Sequence, residues 1–433
     1  MVNSTLHPLE VTNTTSNIPK LLEDYFNRKH FVFLLYAFVF LLPFNMVYCN
    51  ILTFAFLLFI PLSVLKKSVT IEGNKKLFLL FFALFVFQIL GLVYTNDFKA
   101  GLFSTEKRLA LLVFPLVFFC TDYDLSNKEI KKLFLSFQLG LSLCALYCLL
   151  NAFKENFLLN QMAAIDWTLF SDKLMDPAGI NHLAFGLYSA LAVAYAVHNL
   201  LQFPEKKTVF LEIAMLLPIS ISLIFVIPKM AIISLLVGIC YLFVQNRSAF
   251  SGKHIIGITI AFGILMIIVL QLPKSRERMR QFTYGFGRNN VINDKHSYSA
   301  TRAGALYATL DLLAEHGISG LGTGGIDKEM TDWYMAKGVP DLIGIDTHNQ
   351  YFDYWLSYGL LGLILFSGSL LIPLWIAHKE GNELYVVFLI IMLISFLTEN
   401  FLNNNKGIMF FSFFNSLFAG LLNHKKNVVR ENT

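Results

Sequence analysis

The chain reads as an all-α polytopic membrane protein of about twelve transmembrane helices, with a long, partly helical outer loop between the ninth and the tenth. Three observations carry this reading. Of 433 residues, 56% are hydrophobic and 15% charged, and the mean hydropathy is +0.59, too apolar for a water-soluble domain. The apolar residues come in runs close to the roughly 20 helical residues that a hydrocarbon core of about 30 Å requires. Lysine and arginine gather in the links between those runs, and favour alternate links.

In order, a polar tail over 1–30 lacks the features of a signal peptide. Spans follow at 31–47, 51–65, 77–94, 102–120, 133–153, 182–201, 208–227, 230–244 and 255–272. The outer loop occupies 273–354. Three more spans, 355–376, 384–397 and 408–422, lead to a second tail at 423–433. The apolar part of the fourth span, 109–120, is short, so Glu106, Lys107 and Arg108 are expected at its water-facing end. Only Pro228 and Lys229 separate the seventh and eighth. Their combined run is too long for one helix, which predicts a tight hairpin.

Of the 34 basic residues, 18 fall in segments that are cytoplasmic if the N-terminus is, 7 in the short outer loops and 9 in the long loop. Long loops do not set orientation, so the short links decide it. Both termini are expected inside and the 273–354 loop outside.

Composition also excludes functions. The five cysteines (Cys49, Cys120, Cys144, Cys148, Cys240) all lie in apolar segments, which suits packing and argues against a disulfide framework or a thiolate metal site. The 43 phenylalanines suit lipid-facing and helix-packing surfaces better than nucleic-acid stacking. Ionisable residues are scarce in the spans, with Glu212 and Glu383 near helix ends. That counts against an ion-coupled transporter, which needs buried charge along a path.

Chemistry is therefore sought in the long loop. It opens with PKSRERMRQF, where Arg276 and Arg280 share a helical face with Met279 and Phe282 near the membrane. A basic patch there suits anionic headgroups, with ordinary snorkelling as the alternative. Thr301 is expected to cap a helix over 302–315 whose apolar stripe is Ala303, Leu306, Leu310 and Leu313, placing Arg302 in the first turn among free N–H groups. GLGTGG follows a helix rather than a strand, so it reads as a helix stop and turn, not a dinucleotide fingerprint. In Asp346-Thr347-His348-Asn349-Gln350, Thr347 and Gln350 have capping-box spacing, making His348 the first residue of the next helix. An imidazole at a helix N-terminus is expected neutral and able to accept a proton, as a general base must. Lys229, at the outer mouth of the hairpin beside Pro228, would share an aqueous face with Arg302 and His348. A snorkelling terminal lysine is the plainer alternative.

TRAGALYATL, GLGTGG and HNQYFDYW, in that order before a late span, resemble the O-antigen ligase and polymerase family of bacterial envelope glycosyltransferases. The resemblance covers most of the chain. It implies an inner-membrane enzyme, working at the periplasmic face without metal or cofactor, that moves a glycan from an undecaprenyl diphosphate-linked donor. The acceptor would be a lipid A-core sugar or a growing glycan, and no nucleic acid would be involved. It further implies that Arg302 and Lys229 hold the diphosphate and that His348 is the base; Arg276 and Arg280, from the basic patch, are added as candidates for the same diphosphate. Lys229 stands where the family generally has arginine, keeping the charge but not the bidentate fork. Asn349 and Glu399 are further candidates. Ligase is the favoured reading, polymerase the alternative within the family, and a lipid-linked glycan transporter the alternative from another class.

Overall fold

In the computed structural model, residues 28–60, 75–120, 125–159, 169–202, 206–247 and 298–431 are described. They are helices joined by short links, with no strand among them. The helices are α1 Arg28–Leu41, α2 Met46–Leu57, α3 Lys75–Leu90, α4 Phe98–Lys107, α5 Ala110–Cys120, α6 Asn127–Lys154 and α7 His182–Leu201. Then come α8 Lys206–Val226, α9 Lys229–Gln245, α10 Tyr298–His316, α11 Ile326–Ala336, α12 Gln350–Lys379, α13 Glu383–Ser395 and α14 Asn405–Glu431. The expected ninth span at 255–272, Arg276, Arg280 and most of the N-terminal tail lie outside the described residues.

Four helical stretches are long and apolar enough to cross a membrane by length and composition: Asn127–Phe157, His182–Leu201, Val209–Val226 and Gln350–Lys379. Met46–Leu57, Lys229–Gln245 and Glu383–Ser395 are apolar but shorter. This is a helical membrane protein, and its apolar helices follow the runs read in the sequence. α14 continues to Glu431 instead of ending near 422, since HKKNVVRE contains no proline or glycine to stop it.

The expected break at Pro228 is present. Pro228 is the N-cap of α9, and Ile227 before it adopts φ +47°, which no helix accommodates. The two helices pack mainly on different neighbours, α8 on α6 and α7 and α9 on α13 and α7, rather than chiefly on each other. The fourth span is two helices, not one. α4 ends at Lys107 and α5 begins at Ala110, with Arg108 at the junction and only 4% exposed. Arg108 does not sit at a water-facing end with its neighbours. It turns inward because buried acceptors wait for it there, as described below.

The bundle core is built on phenylalanine. Phe410, Phe413, Phe414 and Phe418 of α14 are all buried and meet rings from α1, α5, α6 and α13. Edge-to-face and stacked pairs of this kind add about 0.5–1.5 kcal/mol each beyond their area. α7 is buried along most of its length, and its alanines let neighbours approach closely.

A second, smaller core joins the loop helices to the bundle. Ala305, Ala308 and Leu312 of α10 face Met330 and Tyr334 of α11, with Leu356 of α12 beneath. The buried stripe of α10 therefore differs from the expected one: Leu306 and Leu310 are 40% and 46% exposed. The helix also starts at Tyr298, so Thr301 lies inside it and Arg302 is past the first turn. The alanine face is the buried one because the large side chains of Met330, Tyr334 and Leu356 fill the space opposite it.

The loop helices are tied to the bundle through GLGTGG and Gly359. Gly359 has φ +66° and interrupts the helical hydrogen bonding of α12. The freed carbonyls of Leu356 and Ser357 accept from Leu321 N at 2.7 Å and Gly322 N at 2.9 Å. On the other side, Thr323 N donates to Gly91 O at 3.1 Å. The glycine run is a helix stop and turn, as expected, and it also clips the loop domain between α3 and α12.

Candidate functional site

The site is made where two sequence-distant segments are laid side by side: the turn 346–350, which starts α12, and the polar link 396–404 between α13 and α14. Gln350 N donates to Phe396 O at 2.9 Å, Asn349 Nδ2 to Leu397 O at 3.0 Å and Asn400 Nδ2 to Thr347 Oγ1 at 2.8 Å. Leu402 N donates to Gln350 Oε1 at 2.7 Å and Asn403 Nδ2 to Asp353 Oδ2 at 2.8 Å. Nearly every polar side chain of one segment answers the other, so their relative placement is tightly specified.

This arrangement overrides the expected capping box. Asn349, not Thr347, is the N-cap, its Oδ1 accepting from Tyr351 N at 2.9 Å and Phe352 N at 3.1 Å. Asparagine is the stronger cap of the two. Gln350 faces the 402 backbone and does not reach back. His348 consequently lies one residue before the cap with φ +47°, outside the helix. Its ring lies beside the carboxylates of Asp346 and Glu399.

A left-handed non-glycine residue costs on the order of 1–2 kcal/mol. Here an Asx turn offsets part of it, with His348 N donating to Asp346 Oδ1 at 3.0 Å. The imidazole is 31% exposed, with Nδ1 3.4 Å from Asp346 Oδ1 and 3.6 Å from Glu399 Oε2. The other carboxylate oxygen of Glu399 holds the Arg302 guanidinium, which also donates to Thr398 O at 3.3 Å. Arg302, Glu399 and His348 are thus one chain of contacts built from α10, the 396–404 link and the 346–350 turn.

Lys229 is exposed at the start of α9. α9 and α13 run antiparallel, since Asn246 Nδ2 donates to Glu383 Oε2 at 2.9 Å and Gly238 lies against Val387. Continuing that register brings Lys229 level with the 396–400 segment, at the same end of the bundle as Glu399.

Sequence reading missed a polar cleft of about 410 Å³ on the other side of the 346–350 turn. Its floor is Arg108, which donates to Gln88 Oε1 at 2.6 Å and Leu402 O at 2.9 Å, contacts Asn403 Oδ1, and lies 3.5 Å from Asp353 Oδ1. Both ionic partners are almost fully buried. Such a pair survives burial only because further hydrogen bonds satisfy both ends. Tyr358 also donates to Gln88 Oε1 at 2.6 Å. The walls carry Lys107, Asp327 and Asp346. Burial pushes the Asp327 carboxyl up from its ordinary range, and the nearby Asp346 charge adds to that shift. Two signals were available: the EKR cluster abutting a span too short to end there, and the polar run TENFLNNN between two apolar helices.

The O-antigen ligase family model matches residues 213–367, a stretch that contains Lys229, Arg302, His348 and Asn349 and ends before Glu399. An uncharacterized protein of Haemophilus influenzae is similar along most of both chains, 22% identical over 373 residues, covering 82% of this chain and 87% of that protein. Over 213–367 the chain is therefore similar to the O-antigen ligase family, the family that the motifs of its loop resemble.

Proposed function

We propose that the protein is an O-antigen ligase that transfers a glycan from an undecaprenyl diphosphate-linked donor to a sugar hydroxyl of lipid A-core at the periplasmic face of the inner membrane. The observation that carries this reading is Glu399, which contacts Arg302 with one oxygen and faces His348 with the other. A cation that can meet diphosphate is thereby tied to a group that can take a proton.

In the proposed step His348 Nδ1–H faces the carboxylates of Asp346 and Glu399, which leaves Nε2 as the acceptor nitrogen. Nε2 removes the proton from the acceptor O–H, and the oxygen forms a bond to the anomeric carbon of the donor. The bond from that carbon to the diphosphate oxygen breaks, and undecaprenyl diphosphate leaves with the electron pair. Arg302 and Lys229 meet its charge, a fixed-cation role that needs no metal. Arg276 and Arg280, outside the described residues, are assigned to the same headgroup region. Asn349, as cap, positions His348. Single displacement with inversion follows from this order of events.

The test is the lipopolysaccharide banding pattern after deletion of the gene in its own host, with complementation by wild type and by His348→Ala. Core free of added glycan, restored by wild type and not by the variant, is expected. Core carrying one repeat would instead indicate a polymerase, and an unchanged pattern would refute the reading. Restoration by His348→Ala would remove the base assignment alone.

A further inference from the structure

The cleft beside the 346–350 turn differs in chemistry from the cationic group around Arg302. Arg108 is committed to Asp353, Gln88, Asn403 and the Leu402 carbonyl. That leaves Lys107, which sits over the Phe103 ring at 4.2 Å, against the two carboxylates of Asp327 and Asp346. A cleft in which carboxylates outnumber the available cations repels a diphosphate. It suits a neutral polyhydroxylated ligand, whose O–H groups donate charge-assisted hydrogen bonds to carboxylates. Its volume, about 410 Å³, falls within the range of small-ligand sites.

Its position is equally specific. Arg302, Glu399 and His348 do not line it, but Asp346 does, and the same carboxylate lies 3.4 Å from His348 Nδ1. Asp346 therefore links the cleft to His348 Nδ1, the nitrogen that also faces Glu399 and, through it, Arg302. A transferase that joins two substrates needs a binding surface for its acceptor as well as for its donor.

We infer that the cleft between α4, α11 and the 344–346 turn is an acceptor subsite, holding a core sugar adjacent to the one whose hydroxyl reaches His348 Nε2, with Asp327 and Asp346 as its recognition carboxylates. This rests on the ligase reading above. Asp346 then serves both surfaces, binding the acceptor on one side and orienting the imidazole on the other.

The test uses the full chain in detergent or nanodiscs, with the host's undecaprenyl-linked glycan as donor and lipid A-core purified from a glycan-deficient host strain as acceptor. Asp327→Asn removes one recognition charge, and Thr331→Trp fills the cleft from α11. Each is expected to raise the acceptor KM by about tenfold or more, the effect of losing a charge-assisted hydrogen bond, while the donor KM stays within about twofold. A rise in donor KM instead, or no change in acceptor KM in either folded variant, would overturn the subsite while leaving the ligase reading intact. Absence of acceptor-dependent product from the wild-type protein would remove the ligase reading, and the subsite with it.

Discussion

Replacing Glu399 by glutamine keeps the shape of the side chain and removes its charge. In the native site that charge lies 3.6 Å from His348 Nδ1, with the imidazole 31% and the carboxylate 12% exposed. At an effective dielectric of about 20, a unit charge at this distance contributes about 4–5 kcal/mol to the imidazolium that forms as the acceptor proton transfers. Water reaching the partly exposed ring reduces this to about 2–3 kcal/mol, and Asp346 remains in place at a similar distance. Glu399→Gln is therefore expected to lower kcat by roughly 30- to 150-fold. The donor KM should not rise, because Arg302 loses a competing anion and keeps its contact with the Thr398 carbonyl. Glu399→Asp, which retains charge one methylene further back, should fall between. The assay is steady-state transfer with donor and acceptor varied separately. A kcat within about threefold of wild type, or a loss confined to donor KM, would refute the claim that Glu399 acts through His348.

Four further expectations follow. Lys229→Arg should be tolerated, whereas Lys229→Ala should raise the donor KM by about tenfold, the cost of one charged contact to phosphate, in the same kinetic assay. Gly359→Ala should prevent stable folding, since a Cβ there would lie 2.0 Å from the Ile318 carbonyl at φ +66°; size-exclusion of a fluorescent fusion would register it, and a monodisperse variant with native melting would refute it. Arg108→Met alone should destabilise by about 3–5 kcal/mol by leaving Asp353 buried and unpaired, while Arg108→Met with Asp353→Leu should recover part of the loss, a coupling that a thermal-melt double-mutant cycle measures. Asp327 carries a raised carboxyl pKa, so its contribution is fully present below the ordinary aspartate range and is lost as pH rises through the raised value. Asp327→Asn should therefore flatten the decline in melting temperature across that window and match or exceed wild type at neutral pH.

The apolar helices were legible because their signal is long and additive: a run of apolar residues such as 182–201 leaves few alternatives, and α7 spans the same residues. Arg302 and His348 were legible as residues but not as geometry. Thr347 and Gln350 have the spacing of a capping box, yet Asn349 took the cap because Gln350 is more valuable against the Leu402 amide, a partner 52 positions away that no local rule can see. Arg108 shows the same limit more sharply. Next to Glu106 and Lys107 it reads as the wet end of a short span, and only the arrival of Asp353 and Asn403 from the far end of the chain makes burial favourable.

These cases share a cause, and it bears on how the site works. Local propensity was overridden wherever the link 396–404 touches the rest of the molecule. That link contributes Glu399 to the reacting side and Leu402 and Asn403 to the cleft side, so it borders both proposed subsites at once. It is held by hydrogen bonds to the 346–350 turn and by the Arg108 network beneath, in addition to the burial of its Phe396, Phe401 and Leu402 in the bundle core. Hydrogen-bonded placement is directional, whereas apolar packing is not. A strained His348 can persist between two carboxylates only if both flanking segments are fixed in direction, and this polar stitching is what fixes them.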